Sequence, residues 1–223
     1  MTTYNDEFYR DMLEGLALYT GSAFQRDVLA TLSRHDEPRL GAALNKSQMA
    51  SKMWLADALL GAVGPELGRV RILGGWVGVL AAVLLHDPRF SIRHVESVDI
   101  DPACAPIAEA VNATHVRAGR FAARTADMLE IECGTALDDA DAPPDLVVNT
   151  SCEHLSEFDR WYAGVPAGQL IVLQSNDYYA CREHVNCVPD LGAFQAQAPM
   201  TLVLFAGARP LRRYVRFMLI GRK

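Results

Sequence analysis

The sequence predicts an α/β fold: a mostly parallel sheet flanked by helices, preceded by N-terminal helices. Three observations predict it. From Arg69 onward, short apolar runs alternate with helical segments, and that alternation implies right-handed crossovers and parallel pairing. Before that point, apolar residues recur at three-to-four spacing, the period of a helix face. The last two apolar runs are joined by too little chain for a helix, so they read as an antiparallel hairpin. The 223-residue chain is half apolar and 22% charged, enough to bury one proper core. No Pro/Gly/Ser-rich linker divides it. The expected organisation is a helical extension over residues 1–65, packed on a sheet domain over 66–223.

The elements follow in order. Phe8, Met12, Leu16 and Tyr19 share one face of a first helix. A second runs from Ser22 to about Arg34 and breaks at Asp36-Glu37-Pro38. Ser47 can cap a third, with a stripe of Ala50, Met53, Trp54 and Ala58, ended by Gly61 and Gly64-Pro65. Val70 to Leu73 reads as a strand, Val79 to Leu85 as a helix, and His94 to Ile100 as a second strand. Ala103 to Asn112 is helical and Arg120 to Ala126 extended. Asp145 to Asn149 and Gln169 to Gln174 are strands, and Thr201 to Ala206 and Tyr214 to Ile220 form the hairpin.

Charge and composition exclude several functions. The net charge is −6, which argues against a general nucleic-acid binder, since that needs a basic face to displace counterions. No run approaches the roughly 18 apolar residues of a membrane span. The first seven residues lack a basic leader and an apolar core, so no signal peptide is expected. Five scattered cysteines suggest free thiols in a reducing cytoplasm.

Chemistry is expected at the strand ends. Gly74, Gly75 and Gly78 form a turn between strand and helix, where backbone amides can approach a ligand. Asp99 follows Gly78 by 21 residues, at the end of the next strand, and an acid there can accept hydrogen bonds from ribose hydroxyls. Asp127, after the third extended segment, could accept from an exocyclic amine such as adenine's. Asp101, before Pro102, reads as a helix cap. Two polar clusters follow later strands: Asn149-Thr150-Ser151-Cys152-Glu153-His154 and Gln174-Ser175-Asn176-Asp177-Tyr178. Asn149, Ser151, Gln174, Ser175, Asn176 and Tyr178 are expected to line a pocket for a small polar substrate, because parallel strands emerge on one sheet edge. His154 or Glu153 could remove a proton there.

The glycine loop, Val98-Asp99-Ile100-Asp101-Pro102, Ala126-Asp127 and Asp145-Leu146-Val147-Val148-Asn149 together resemble the ordered motifs of class I S-adenosylmethionine-dependent methyltransferases, over roughly Arg69 to the C-terminus. The resemblance implies a Rossmann-like methyltransferase fold with a seven-stranded sheet, parallel except for its last strand. It implies S-adenosylmethionine as cofactor, with Asp99 on the ribose, Asp127 on the adenine amine, and Gly74 and Gly78 bordering the methionine part. Gly75 and Trp76 belong to the same loop. The loop departs from the family pattern twice. Ile72 stands where an acid helps hold the cofactor's ammonium end, and Trp76 where a glycine is usual.

The leading expectation is therefore a cytoplasmic methyltransferase acting on a small polar molecule. A second keeps the fold without methyl transfer: ring closure by internal displacement of a leaving group such as sulfate, as in aziridine formation. Arg209, Arg212, Arg213 and Arg216 would then hold the departing anion. A third is a non-catalytic subunit docked through the N-terminal helices; a homodimer is also possible. Cys181, His184 and Cys187, with Cys152 or His154, offer zinc-type ligands without a paired-cysteine motif, so no metal is assigned. Cys152 as nucleophile has no supporting signature.

Overall fold

The computed structural model describes residues 3–34, 38–136 and 142–223. Four helices come first: α1 (Thr3–Thr20), α2 (Ala23–Arg34), α3 (Pro38–Ala43) and α4 (Lys46–Val63). The sheet domain then runs β1 (Glu66–Leu73), α5 (Val79–His86), β2 (Ser91–Asp99), α6 (Cys104–Val111), α7 (Ala113–Arg117), β3 (Phe121–Thr125) and β4 (Leu146–Asn149). It continues through a 3-10 turn (Cys152–His154), α8 (Phe158–Gly164), β5 (Leu170–Asn176), α9 (Leu191–Gln197), β6 (Leu202–Pro210) and β7 (Val215–Arg222).

The seven strands lie in the order β3-β2-β1-β4-β5-β7-β6. The pairs among β1 to β5 are parallel, and β7 runs antiparallel to both β5 and β6. The chain leaves β1 toward β2 and β3 on one side and toward β4 and β5 on the other. Strand order reverses between β1 and β4, which opens a crevice beyond their carboxyl ends. Leu73 pairs with Asn149 at that edge.

Period-two alternation sorts the strand residues onto two cores. Ile72, Val148 and Val172 face the cluster containing Leu55, Leu59 and Leu84. Leu73, Val147 and Ile171 face the cluster containing Phe158, Trp161 and Phe194. β4 and β5 are buried along their whole lengths, as expected of strands covered on both faces. A buried ion triad crosses the other half of the sheet: Glu96 accepts from Arg71 at 2.8 Å and from Arg124 at 2.6 Å. Arg71 also donates to the Glu132 carbonyl at 3.3 Å, which anchors the segment after β3 that carries Asp127. No helix among the described residues is long and apolar enough to cross a membrane.

Four details differ from the sequence-based expectation. The stripe on α1 is exposed: Tyr19 is 89% accessible, and Phe8, Met12 and Leu16 also face outward, while Ala17 is buried. Helical spacing shows that a face is apolar, not that anything covers it. The cap of α4 is Asn45 rather than Ser47; its carboxamide oxygen accepts from the Ser47 and Gln48 amides, both at 3.0 Å. Gly61 lies inside that helix, which ends at Gly64 in a left-handed conformation (φ 99°). The inward face of α4 is also rotated from the expected one. Ser51, Leu55, Ala56 and Leu59 are buried, and Trp54 sits at the margin, edge-on to Phe205. Of the expected break after α2, Asp36 and Glu37 lie outside the described residues.

Candidate functional site

The crevice at the carboxyl edge opens into a cavity of about 950 Å³. Its walls come from the glycine loop, the turns after β2, β3 and β4, the segment following β5, the inward face of α4, and β7. That volume lies at the upper end of what small-molecule sites occupy.

One end is built by backbone geometry around Asp99. Gly74 (φ 62°) and Gly78 (φ 73°) adopt left-handed conformations, which cost glycine little. Trp76 does so too, at φ 49°, where a side chain is strained. Its amide is held there by Asp99 Oδ2 at 2.8 Å, while Asp99 Oδ1 accepts from the Asp101 amide at 3.0 Å. Asp99 thus ties the glycine loop to the end of β2, and the Cys104 thiol also bonds to its side chain. Asp127 Oδ1 accepts from the Leu129 amide at 2.9 Å. Both acids line the cavity beside Ile100, Met128 and Leu129. Ile100 is 66% exposed, an apolar surface between two acids. Asp101 accepts from the Ala103 amide at 2.9 Å in the turn before α6 and also pairs with Arg39 at 3.1 Å; it is not the expected helix cap, because Ala103 holds the cap position and no side chain caps the helix.

Gly74, Gly75 and Trp76 line the cavity, whereas Gly78 faces α6. A Cβ at Gly78 would meet the Asn112 amide nitrogen at 2.8 Å and Ala108 at 2.9 Å. Gly78 therefore serves the close packing of α5 on α6. A Cβ at Gly74 would meet the Ser151 hydroxyl at 2.6 Å. Ser151 sits where β1 and β4 diverge, donating to the Gly74 carbonyl at 3.3 Å.

The other end is charged. Glu153 is 3% exposed and forms a buried ion pair with Arg216. Glu153 Oε1 takes that contact together with Asn176 Nδ2 at 2.7 Å. Its Oε2 has no hydrogen-bond partner among the described residues. Arg216 also donates to the Thr150 carbonyl at 2.8 Å and to Gln174 Oε1 at 3.4 Å. Asn176 Oδ1 receives the Tyr178 amide at 2.8 Å, which starts the segment that passes over the strand ends. His154 and His184 meet edge-on, ring centroids 4.5 Å apart. His154 Nδ1 lies 3.1 Å from the Glu183 carbonyl, and His184 Nδ1 lies 3.1 Å from the Tyr178 carbonyl. Burial lowers the His184 pKa, with Glu153 pulling the other way.

Of the residues singled out from sequence, Ser151, Glu153, His154, Asn176 and Tyr178 meet in this cavity. Asn149, Gln174 and Ser175 do not. Asn149 is fully buried and uses Oδ1 to accept the Ser151 amide at 2.9 Å, so it shapes the turn. Gln174 lies one layer deeper on the same face of β5 as Asn176 and supports Arg216. Ser175 points to the opposite face, as strand alternation requires. The expected arginine cluster reduces to one member: Arg212 and Arg213 are exposed, and only Arg216 reaches the cavity. Cys152 is wholly buried, and that burial pushes its thiol pKa well up, so it is no nucleophile. Cys181 and Cys187 hydrogen-bond to Glu183 and Asn176.

Sequence reasoning missed Lys52. It lines the cavity from α4 and donates to Gln48 Oε1 at 2.9 Å. Burial, and then the charge of Arg216, lower its pKa from 10.5 to about 7. The available signal was a lysine between Ser51 and Trp54-Leu55, inside an otherwise apolar helix face.

No protein-family model matches the chain, and no curated protein matches it. Solved structures do match. The fold is that of the class I methyltransferases. The N-methyltransferase NodS of Bradyrhizobium japonicum WM9, solved with S-adenosyl-L-homocysteine, superposes with a TM-score of 0.61 at 13% identity, over 90% of this chain and 97% of that one. Magnesium protoporphyrin IX methyltransferase (ChlM) from Synechocystis PCC 6803, also with S-adenosylhomocysteine, gives 0.55 at 13% identity, over 90% and 88%. The [4+2]-cyclase SpnF gives 0.57 at 11% identity, over 81% and 85%.

Proposed function

We propose that this protein is an S-adenosylmethionine-dependent methyltransferase acting on a small polar molecule. The observation that carries the proposal is the pairing of Asp99 and Asp127 in one cavity beside the glycine loop, flanked by Ile100, Met128 and Leu129. A nucleoside needs that combination: carboxylates for ribose hydroxyls and an exocyclic amine, and apolar side chains for the base faces. NodS and ChlM, which share the fold, were both solved with the demethylated form of that cofactor. Ile72 supplies no charge at the ammonium end, leaving the Gly74 carbonyl and the Ser151 hydroxyl as the polar groups near the loop.

When bound, S-adenosylmethionine supplies an electrophilic methyl group. The protein's own residues position the acceptor and manage its proton. Lys52 is the group best suited to take a proton, since a lysine with a pKa of about 7 is partly neutral at neutral pH. Glu153 is held in place by Arg216 and Asn176 through Oε1. Titration with S-adenosylhomocysteine by calorimetry tests the proposal. Saturable heat and a thermal shift are expected; their absence at millimolar ligand sinks it.

A second reading retains the cavity but not methyl transfer. It draws on the absent acid at Ile72, on Trp76 in the loop, and on the cyclase SpnF sharing the fold. The substrate would then carry its own leaving group and close a ring. Turnover without added S-adenosylmethionine separates the two.

A further inference from the structure

We propose that Glu153, His154 and His184 form a binding site for one divalent transition-metal ion of the zinc type at the charged end of the cavity. One ligand atom from each residue lies within 4.8 Å of the other two. These atoms come from the turn after β4 and from the segment that follows β5, so the topology, not sequence proximity, assembles them.

Two further observations point to a cation. The first concerns tautomers. His154 Nδ1 and His184 Nδ1 each lie 3.1 Å from a backbone carbonyl. A carbonyl only accepts, so in each neutral ring Nδ1 is the donor and Nε2 is the nitrogen that offers a lone pair to an ion. Metal-bound histidines are wired in this way, with the distal N–H fixed by a carbonyl or carboxylate. The second is Glu153 Oε2, a carboxylate oxygen on a side chain 4% exposed, without a hydrogen-bond partner among the described residues. Buried carboxylate oxygens are costly to leave bare, and a cation would satisfy this one.

The frame that holds the three residues is tight. The Asn186 amide donates to the Glu153 carbonyl at 2.8 Å, and Asn186 Nδ2 donates to the Cys152 carbonyl at 3.0 Å. Gln197 in turn donates to Asn186 Oδ1 at 2.7 Å. Two imidazoles and one carboxylate, with coordination positions left toward the cavity, suit zinc, iron(II), cobalt or nickel better than magnesium or calcium. Arg216 on Glu153 Oε1 withdraws donor strength from the carboxylate, so affinity should fall below that of a closed four-ligand site. Under the methyltransferase reading, on which this role rests, the ion would bind the acceptor's oxygen or nitrogen and lower its pKa. The proton released would pass to Lys52 Nζ. His154 is then a ligand and not a base.

The test uses metal-free protein titrated with Zn²⁺ by calorimetry and with Co²⁺ by visible absorption, without any nucleoside present. One equivalent should bind, and Co²⁺ should show the d–d bands of a protein site. His184→Ala and His154→Ala, whose side chains are not in the core, should each weaken binding by more than about tenfold with unchanged melting of the metal-free form. Failure to take up either ion, or equal uptake by wild type and both variants, overturns the proposal. Because S-adenosylhomocysteine is titrated separately, metal binding without nucleoside binding would leave the site standing and remove only its role in methyl transfer.

Discussion

Lys52 is the residue whose replacement tests the charged end most directly. Lys52→Met keeps most of the side chain's length and removes a cation that faces Arg216. The lysine's pKa is about 7 in the folded protein against 10.5 for a free lysine. Between those values the unfolded chain binds more protons than the folded one, so wild-type stability rises with pH across that window. Below about pH 7 the full cost of charging Lys52 is present. At about 1.4 kcal/mol per pH unit, the gap sets a ceiling of about 5 kcal/mol. Lys52 keeps part of its surface open to the cavity, and screening there brings the real cost to about 1–2 kcal/mol. Removing the charge should therefore stabilise the protein. For a chain of this size, about 2–4 °C per kcal/mol is expected, a rise of about 3–6 °C in Tm near pH 6 that shrinks toward pH 9.5. Scanning calorimetry of both proteins across that range measures it. Equal melting temperatures at low pH would refute the inference that Lys52 is charged there at a cost. The same variant should lose about 10²-fold or more in turnover, and wild-type activity should climb as pH rises through about 7.

Three further outcomes are expected. Asp99→Ala should abolish S-adenosylhomocysteine binding in calorimetry and also lower stability by about 1–3 kcal/mol in urea melts, because the Trp76 and Asp101 amides lose their acceptor; unchanged binding would make Asp99 purely structural. Trp76→Gly should relieve backbone strain but weaken ligand affinity, since the ring lines the cavity; tighter binding would show instead that the ring obstructs it. Arg216→Met should cost about 3–5 kcal/mol by leaving Glu153 buried and unpaired, and adding Glu153→Gln should restore much of that loss; a double variant as unstable as the single would argue against the buried pair.

The fold was readable because its determinants are local and periodic. The apolar runs at β1, β2, β4 and β5, each followed by turn chemistry, constrain a parallel sheet almost by themselves. The shortness of the Leu211–Tyr214 connection required a hairpin. What failed was the choice of face. The stripe on α1 is exposed and that on α4 is rotated, because neither helix's neighbours can be inferred from its own spacing. The short helices α3, α7, α8 and α9 were also missed. None exceeds seven residues, too few for a periodic signal.

The cavity divides along the same line. The end around Asp99 and Asp127 is assembled from residues at the carboxyl ends of β1, β2 and β3, so strand ends alone brought Gly74, Asp99 and Asp127 together. Its charged end joins α4, the turn after β4, the segment after β5, and β7. Lys52 and Arg216 are 164 positions apart, yet the charge of one shifts the pKa of the other. Nothing in a lysine inside a helix, or in an arginine beside three others, reveals that coupling. The polar run after β4 did point to Glu153 and His154, but it suggested a base. Only the reach of Arg216 from the antiparallel strand neutralises Glu153 at one oxygen and leaves the other bare. Only the return of the chain over β5 brings His184 against His154. A motif of two adjacent residues thus acquires its chemistry from two distant ones, and that is why the strand that reverses direction, β7, matters to the site as much as the parallel strands that frame it.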